Sequence, residues 1–263
     1  MGEPILIDVT ETYLVINKPP KVHSVPLREG GGEGTLLQWA ADRFPEILDI
    51  TGQNPREGGM FHRLDYETGG LVLIARTQAA MNALRRAQGE GRFVKEYEAL
   101  SLGERDSPPA ALPGFPRRPL ALPGCIESAF RPYGPGRKAV RPVLLEGGGT
   151  KSPGGPKGGS EIALDRGKPY RTEILSVIRD TAGVPADSPW ESPEEGLVRF
   201  SLRICRGFRH QIRCHLAWTG FPLVNDGVYG GAPYGAYPFL GLLACRISFP
   251  DPVTGATRPY RIP

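Results

Sequence analysis

The 263-residue chain is 40% hydrophobic and 23% charged, a balance that suits one large globular domain or two small lobes with ample core material. No apolar run approaches the ~18 residues that span a bilayer, and the Met1–Asp8 segment lacks the basic and apolar regions of a secretion signal. Four cysteines without a Cys-x-x-Cys pair argue against structural zinc and a disulfide framework, so a reducing cytoplasm is the default expectation.

The net charge of +4 is unevenly spread. Residues 1–60 hold 5 basic and 9 acidic side chains, whereas the rest hold 27 and 19. A basic body makes a polyanion partner possible but does not establish one.

The first predicted strand is Tyr13–Ile16, ended by Asn17-Lys18-Pro19-Pro20. A glycine-rich loop follows. Thr35–Phe44 reads as a helix with Thr35 as its N-cap and Pro45 as its stop. Then comes Phe61-His62-Arg63-Leu64-Asp65-Tyr66-Glu67-Thr68-Gly69-Gly70, running into the apolar Leu71–Ala75. This is a charged loop feeding a buried strand, and Gly69-Gly70 permits either a tight turn or a close backbone approach. Asp65 is thereby held just ahead of a rigid element, a common place for chemistry. A solvated acidic turn has the same signature.

Thr77–Gly89 is predicted helical, and Arg92–Leu100 is predicted to be a strand with Phe93, Lys95, Tyr97 and Ala99 on one face. Residues 103–168 are rich in Pro and Gly, low in complexity at Glu146–Ser160, and read as a flexible connector with short strands near Ile126 and Val143. Six basic residues and only Glu127 as an acid lie between Arg117 and Arg141, fitting either a solvated linker or a phosphate-contacting arm. Strands are expected again at Tyr170–Ile178 and Leu197–Ile204. His210–Trp218 is expected as a helix capped by Gly220. Arg206, Arg209 and Arg213 would form a basic stripe at its N-terminal end, where free N–H groups already favour anions. His210 and His215 are five apart, not the four that align two metal ligands, so no metal site is expected.

Three ordered motifs together resemble the RluA-type RNA pseudouridine synthases. His62-Arg63-Leu64-Asp65-x-x-Thr68-x-Gly70-Leu71 is similar to that family's H-R-L-D-x-x-T-S-G-L, with Gly69 in place of the usual Ser. Lys95-Glu96-Tyr97-Glu98-Ala99 is similar to its K-x-Y-x-A strand. Gly207–Leu216, followed by Gly220–Asp226 and Tyr229-Gly230, is similar to G-R-x-H-Q-I-R-V-H-L, G-H-P-I-x-G-D and Y-G. Arg206 and Phe208 depart from the usual lead-in, Asn225 replaces a Gly, and Leu243 stands where a His is common. These departures bear on substrate preference more than on chemistry.

The resemblance implies an α+β pseudouridine synthase fold, with a mixed, mostly antiparallel sheet in two halves, flanking helices and a central cleft. It implies a single catalytic domain over residues 1–263 without an extra N-terminal RNA-binding module, a monomer, and no cofactor, metal, dinucleotide or membrane. The implied activity isomerises a uridine of structured ribosomal or transfer RNA. Asp65 is implied as the carboxylate at the ribose, Arg213 as its ion-pair partner, and Tyr97 as the residue that packs on the base. Asp65 would either attack C1′ or remove the 2′ proton. His62, Arg63, Lys95, Arg206 and Arg209 are implied as RNA contacts. The target must leave its stack, which is cheapest in a loop. Two other readings differ in kind. A non-catalytic RNA-binding protein on the same scaffold would tolerate loss of Asp65. A nucleoside hydrolase would release free uracil, and such enzymes usually use a carboxylate pair, for which only Glu67 lies nearby in sequence.

Overall fold

A computed structural model describes residues 2–26, 34–52, 54–104, 124–143, 169–179, 197–235 and 237–262. The N-terminal half is built from β1 (Ile5–Val9), β2 (Tyr13–Lys18), α1 (Leu36–Ala41), β3 (Gly69–Ala75) and α2 (Gln78–Gly89). Every residue of β3 is buried, as an uninterrupted apolar run requires. Its side chains alternate between two cores. Val72 and Ile74 join Leu14 and Ile16 of β2 beneath Leu36, Leu37 and Ala40 of α1. Leu71 and Leu73 join Tyr13 and Val15 beneath Ala80, Met81 and Leu84 of α2. Thr35 caps α1 as the sequence predicts, accepting from the Gln38 amide at 3.2 Å, and Thr77 caps α2 in the same way, accepting from the Ala80 amide at 3.1 Å.

The second half adds β4 (Val94–Ser101), β5 (Gly124–Tyr133), β6 (Ala139–Val143), β7 (Tyr170–Arg179), β8 (Val198–Ile204), α3 (Gln211–Trp218), β9 (Leu242–Pro250) and β10 (Thr257–Arg261). The strands lie in the order β1-β2-β3-β9-β4-β8-β7-β5-β6, with β10 also on β9. All pairs are antiparallel except β3 with β9, whose parallel contact is confined to Gly69–Leu243 and Gly70–Ala244. The two antiparallel halves therefore meet at a narrow seam. Gly70 makes the seam possible. Its φ is +123°, and a Cβ there would fall 2.4 Å from the Ala244 carbonyl oxygen. Of the two uses foreseen for Gly69-Gly70, the close approach is the one realised, and both glycines lie inside the strand.

Residues 124–143, within the segment expected as a flexible connector, form an ordered hairpin paired to β7. The apolar face of the hairpin explains this. Phe130 and Val140 pack on Cys214 and Ala217 of α3, and Phe130 stacks on Phe208 at 5.2 Å. Pro142 sits on the edge strand, where a missing N–H costs nothing in the ladder. The remainder of the connector, including Glu146–Ser160, lies outside the described residues.

Candidate active site at the seam between the sheet halves

The loop that carries Asp65 enters β3 at the seam, and its neighbours brace it on both sides. Ser24 Oγ donates to the Leu64 carbonyl at 2.8 Å and accepts from the Leu64 amide at 3.2 Å. The Lys21 amide donates to the Tyr66 carbonyl at 2.7 Å, and His23 packs against the Tyr66 ring at 4.5 Å. The Thr68 amide donates back to the Asp65 carbonyl at 3.1 Å. Buried Lys18 caps three carbonyls, those of Pro19 at 2.9 Å, Val22 at 2.8 Å and Tyr66 at 3.5 Å. Burial brings its pKa down to about 8, against the opposing pull of Asp65 and Glu67.

Arg213, in the first turns of α3, reaches across the seam to this loop. Its Nη1 lies 3.4 Å from Asp65 Oδ2. Its Nε and Nη2 donate to the two oxygens of Asp226, each at 2.8 Å. Asp226 has no exposed side-chain surface, and its Oδ1 also accepts from the Val228 and Tyr229 amides at 3.1 and 3.2 Å. Burial alone would lower the Arg213 pKa. The hydrogen bonds and charge of Asp226, and then the charge of Asp65, hold it above its ordinary value. The guanidinium is thus a fixed bridge between a buried carboxylate and a quarter-exposed one.

Tyr97 projects from β4 into the same region. Burial first, and the negative charge of Asp65 second, push its phenol well above the usual range. His210 precedes α3 with φ +56°, a left-handed conformation uncommon outside glycine. Its Nε2 lies 3.8 Å from Asp65 Oδ2, and its Nδ1 lies 3.2 Å from the Tyr229 hydroxyl.

Of the eight side chains singled out in the sequence, Asp65, Arg213 and Tyr97 come together here. His62 and Lys95 are not surface contacts. His62 is buried beside Phe93, with Nε2 3.3 Å from the Leu71 carbonyl and Nδ1 without a partner among the described residues. Burial, reinforced by the charge of Lys95, lowers its pKa to about 3. Lys95 does share a face with Tyr97, but it is buried, 5.7 Å from the Phe93 ring centroid, and its pKa falls to about 8 through burial. Phe93 itself lies before β4 and packs in the core under α2. Arg63 is exposed and paired with Glu57 at 2.6 Å.

The expected arginine stripe is divided. Arg213 is inside, whereas Arg206 and Arg209 lie on the exposed loop before α3. Arg206 sits 4.5 Å over the Tyr170 ring, and Arg209 donates to the Arg137 carbonyl at 2.6 Å. The helix starts at Gln211, so the 3.6-residue periodicity does not extend back to 206 and 209. His215 is a satisfied core histidine between Thr172 Oγ1 and Ser128 Oγ, each at 2.9 Å.

Two residues were missed as members of the site. Asp226 lay within a quoted motif, but an acid thirteen residues from Arg213 gives no sequence signal of contact. His210 was weighed only as a metal ligand. Asn225 has φ +59°, the left-handed region in which Asn is tolerated, so it can occupy the position the family gives to Gly. Its amide ties the loop to the Tyr237 and Phe239 carbonyls, both at 2.6 Å.

A family model described as RNA pseudouridylate synthase matches residues 12–218. The relative from Vibrio vulnificus, a ribosomal large subunit pseudouridine synthase D, is 27% identical over 96% of this chain and 65% of its own. The protein of the same name from Escherichia coli K12 is 28% identical over 85% of this chain and 51% of its own. The chain thus spans about half to two thirds of the length of these curated relatives. Among solved structures, human RNA pseudouridylate synthase domain containing 1 is similar with a TM-score of 0.59 at 19% identity, covering 99% of this chain and 83% of its own. Human RNA pseudouridylate synthase domain containing 4 gives 0.58 at 15%, covering 98% and 88%. The fold is therefore the α+β pseudouridine synthase fold expected from the motifs.

Proposed function

The chain belongs to the RNA pseudouridylate synthase family, and on that premise we propose that it isomerises uridines of structured RNA to pseudouridine, with Asp65 as the carboxylate that acts at the ribose. The N1–C1′ bond breaks, the uracil turns while held, C5 bonds to C1′, and C5 then loses its proton while N1 gains one. Substrate and product are isomers, so no co-substrate is needed to balance the reaction. The observation that carries the reading is the Asp65–Arg213–Asp226 bridge, with Tyr97 beside it.

Asp65 acts at C1′ or at the 2′ proton, and Arg213 supplies its countercharge. The Tyr97 ring provides an apolar face for the flipped base. In the covalent route, ester formation at Asp65 removes the negative charge that raises the phenol's pKa. The phenol then ionises more readily, so Tyr97 can pass its own proton to uracil N1 and take up the C5 proton in its place, ending the turnover protonated as it began. The exposed Arg206 and Arg209 are suited to phosphates, as is Arg63 once it leaves Glu57. Large-subunit ribosomal RNA is the first substrate to test, since the curated relatives carry that name.

The test is pseudouridine mapping in total RNA with and without the gene, followed by restoration with wild type or Asp65→Asn. We expect wild type to restore specific sites and the Asn variant to restore none while still binding RNA. Full turnover by the Asn variant would remove Asp65 from the mechanism. Release of free uracil would instead indicate a hydrolase.

A further inference from the structure

We propose that His210 is a positioning residue for the Asp65 carboxylate, a neutral imidazole that turns its Nε2–H toward Oδ2 while the Tyr229 hydroxyl donates to its Nδ1. This rests on the catalytic reading of Asp65. It adds a third group to the Asp65–Arg213 pair.

The proton inventory around Tyr229 leads to this tautomer. The Tyr229 hydroxyl accepts from the Val140 amide at 2.9 Å. It has one proton and two candidate acceptors, the Val140 carbonyl and His210 Nδ1, both at 3.2 Å. The Val140 carbonyl already receives Cys214 Sγ–H at 3.3 Å. If the hydroxyl donated to Val140, Nδ1 would carry the imidazole proton, and the bare Nε2 lone pair would face a carboxylate oxygen at 3.8 Å. If it donates to Nδ1, that nitrogen and the Val140 carbonyl each have a donor, and Nε2–H faces Oδ2 with favourable sign. Burial, with Arg213 and Arg209 adding to it against the pull of Asp65 and Asp226, lowers the His210 pKa to about 4. The ring is therefore neutral near pH 7 and has a tautomer to choose.

Two features fit a positioning role. The left-handed backbone of His210 stores strain of the kind found at functional sites. The 3.8 Å separation is longer than a closed hydrogen bond, as expected of catalytic contacts that tighten in the substrate complex. Once Nε2–H closes on Oδ2 beside Arg213 Nη1, Oδ1 is left as the oxygen that meets the ribose.

Gln and Asn variants separate the two ring nitrogens. A Gln amide can reach the place of Nε2, whereas an Asn amide reaches only that of Nδ1 and tolerates the left-handed backbone. In single-turnover isomerisation of a mapped RNA, His210→Asn should lose about 10- to 100-fold in rate, the worth of one hydrogen bond to a charged group. Its RNA affinity should be unchanged, and His210→Gln should recover most of the rate. Equal rates for wild type and both variants, or equal losses in both, would overturn the proposal.

A second measurement does not depend on activity. Two-bond ¹⁵N–¹H correlation spectra of the full chain should show His210 protonated at Nε2. In Tyr229→Phe, where no hydroxyl fixes Nδ1, the preference should weaken. Protonation at Nδ1 in the wild type would refute the relay. A wild type that makes no pseudouridine but shows the Nε2–H tautomer would retain the relay and reject the catalytic reading instead.

Discussion

Replacing Arg213 with lysine tests whether the guanidinium works as a bridge or only as a charge. Arg213 spends three nitrogens on two carboxylates: Nε and Nη2 on Asp226, each at 2.8 Å, and Nη1 on Asp65 at 3.4 Å. Lysine offers one point charge with no planar fork. Wherever its ammonium settles, one carboxylate loses its partner. Asp226 is fully enclosed and is the costlier to abandon, so Asp65 is the one released.

A hydrogen bond to a charged group is worth about 1.5–3 kcal/mol. The Asp65 loss then corresponds to about 10- to 100-fold in rate, at about 1.4 kcal/mol per decade. Loss of the bidentate geometry at Asp226 should destabilise the fold by a further ~1–3 kcal/mol. The assay uses RNA carrying tritium at C5 of the target uridine with enzyme in excess, because each isomerisation releases that label to water. Folding is followed by urea denaturation. A rate within about twofold of wild type, at unchanged RNA affinity, would refute the claim that bridging geometry matters.

Tyr97→Phe keeps the apolar ring and removes the hydroxyl. The base should still detach and be held, so uracil capture should persist while C5 label release falls by ~10²-fold or more; unchanged release would exclude the phenol as proton acceptor. His62→Phe should flatten the acid side of the stability curve. The native pKa of His62 is lowered from 6.5 to about 3, so between those values the unfolded chain binds the extra proton. Its contribution is fully present above pH 6.5 and declines as pH falls toward 3, at about 1.4 kcal/mol per pH unit. Urea unfolding at pH 7 and pH 5 should therefore differ by about 2 kcal/mol less in the variant than in wild type, and an unaltered difference would contradict the buried neutral assignment. Gly70→Ala should cost on the order of 3 kcal/mol or prevent folding, since its Cβ meets the Ala244 carbonyl at 2.4 Å and φ is +123°. A wild-type urea midpoint would show that the seam can open without cost.

The sequence reveals local elements because local patterns are periodic. The strand at Tyr13–Ile16, the apolar run of β3 and the Thr35 cap of α1 all survive into the structure. The two strands of the 124–143 hairpin were expected near Ile126 and Val143, but within a flexible connector; its order was not legible because it comes from packing on α3, a contact more than seventy residues away in sequence. The same limit divides the site. Asp65, Tyr97 and Arg213 were found through motif resemblance, whereas Asp226 and His210 became visible only once geometry brought their atoms to Arg213 and Asp65. Burial corrected the opposite error. A motif cannot distinguish a lysine that faces RNA from one enclosed beside Phe93, and Lys95 and His62 are enclosed.

The position of the site follows from the one place where the sheet departs from its own pattern. Antiparallel pairing runs from β1 to β3 and again from β9 to β6, and the strand ladders of the two blocks join only through the two-residue parallel contact at Gly69 and Gly70, although side chains of both blocks share the core around it. Beyond that contact β3 and β9 share no ladder. The loop entering β3 is therefore braced by the β2 side, through Ser24, Lys18 and Lys21, while α3 belongs to the other half. Asp65 comes from the first block and Arg213, His210 and Tyr97 from the second. The carboxylate and its countercharge are thus carried by different blocks of the sheet and meet where those blocks join. The close approach that Gly70 permits at Ala244 is one of the contacts that bring the two blocks together beside Asp65 and Arg213. A substitution at Gly70 mild enough to fold should lower the isomerisation rate without touching any residue of the site.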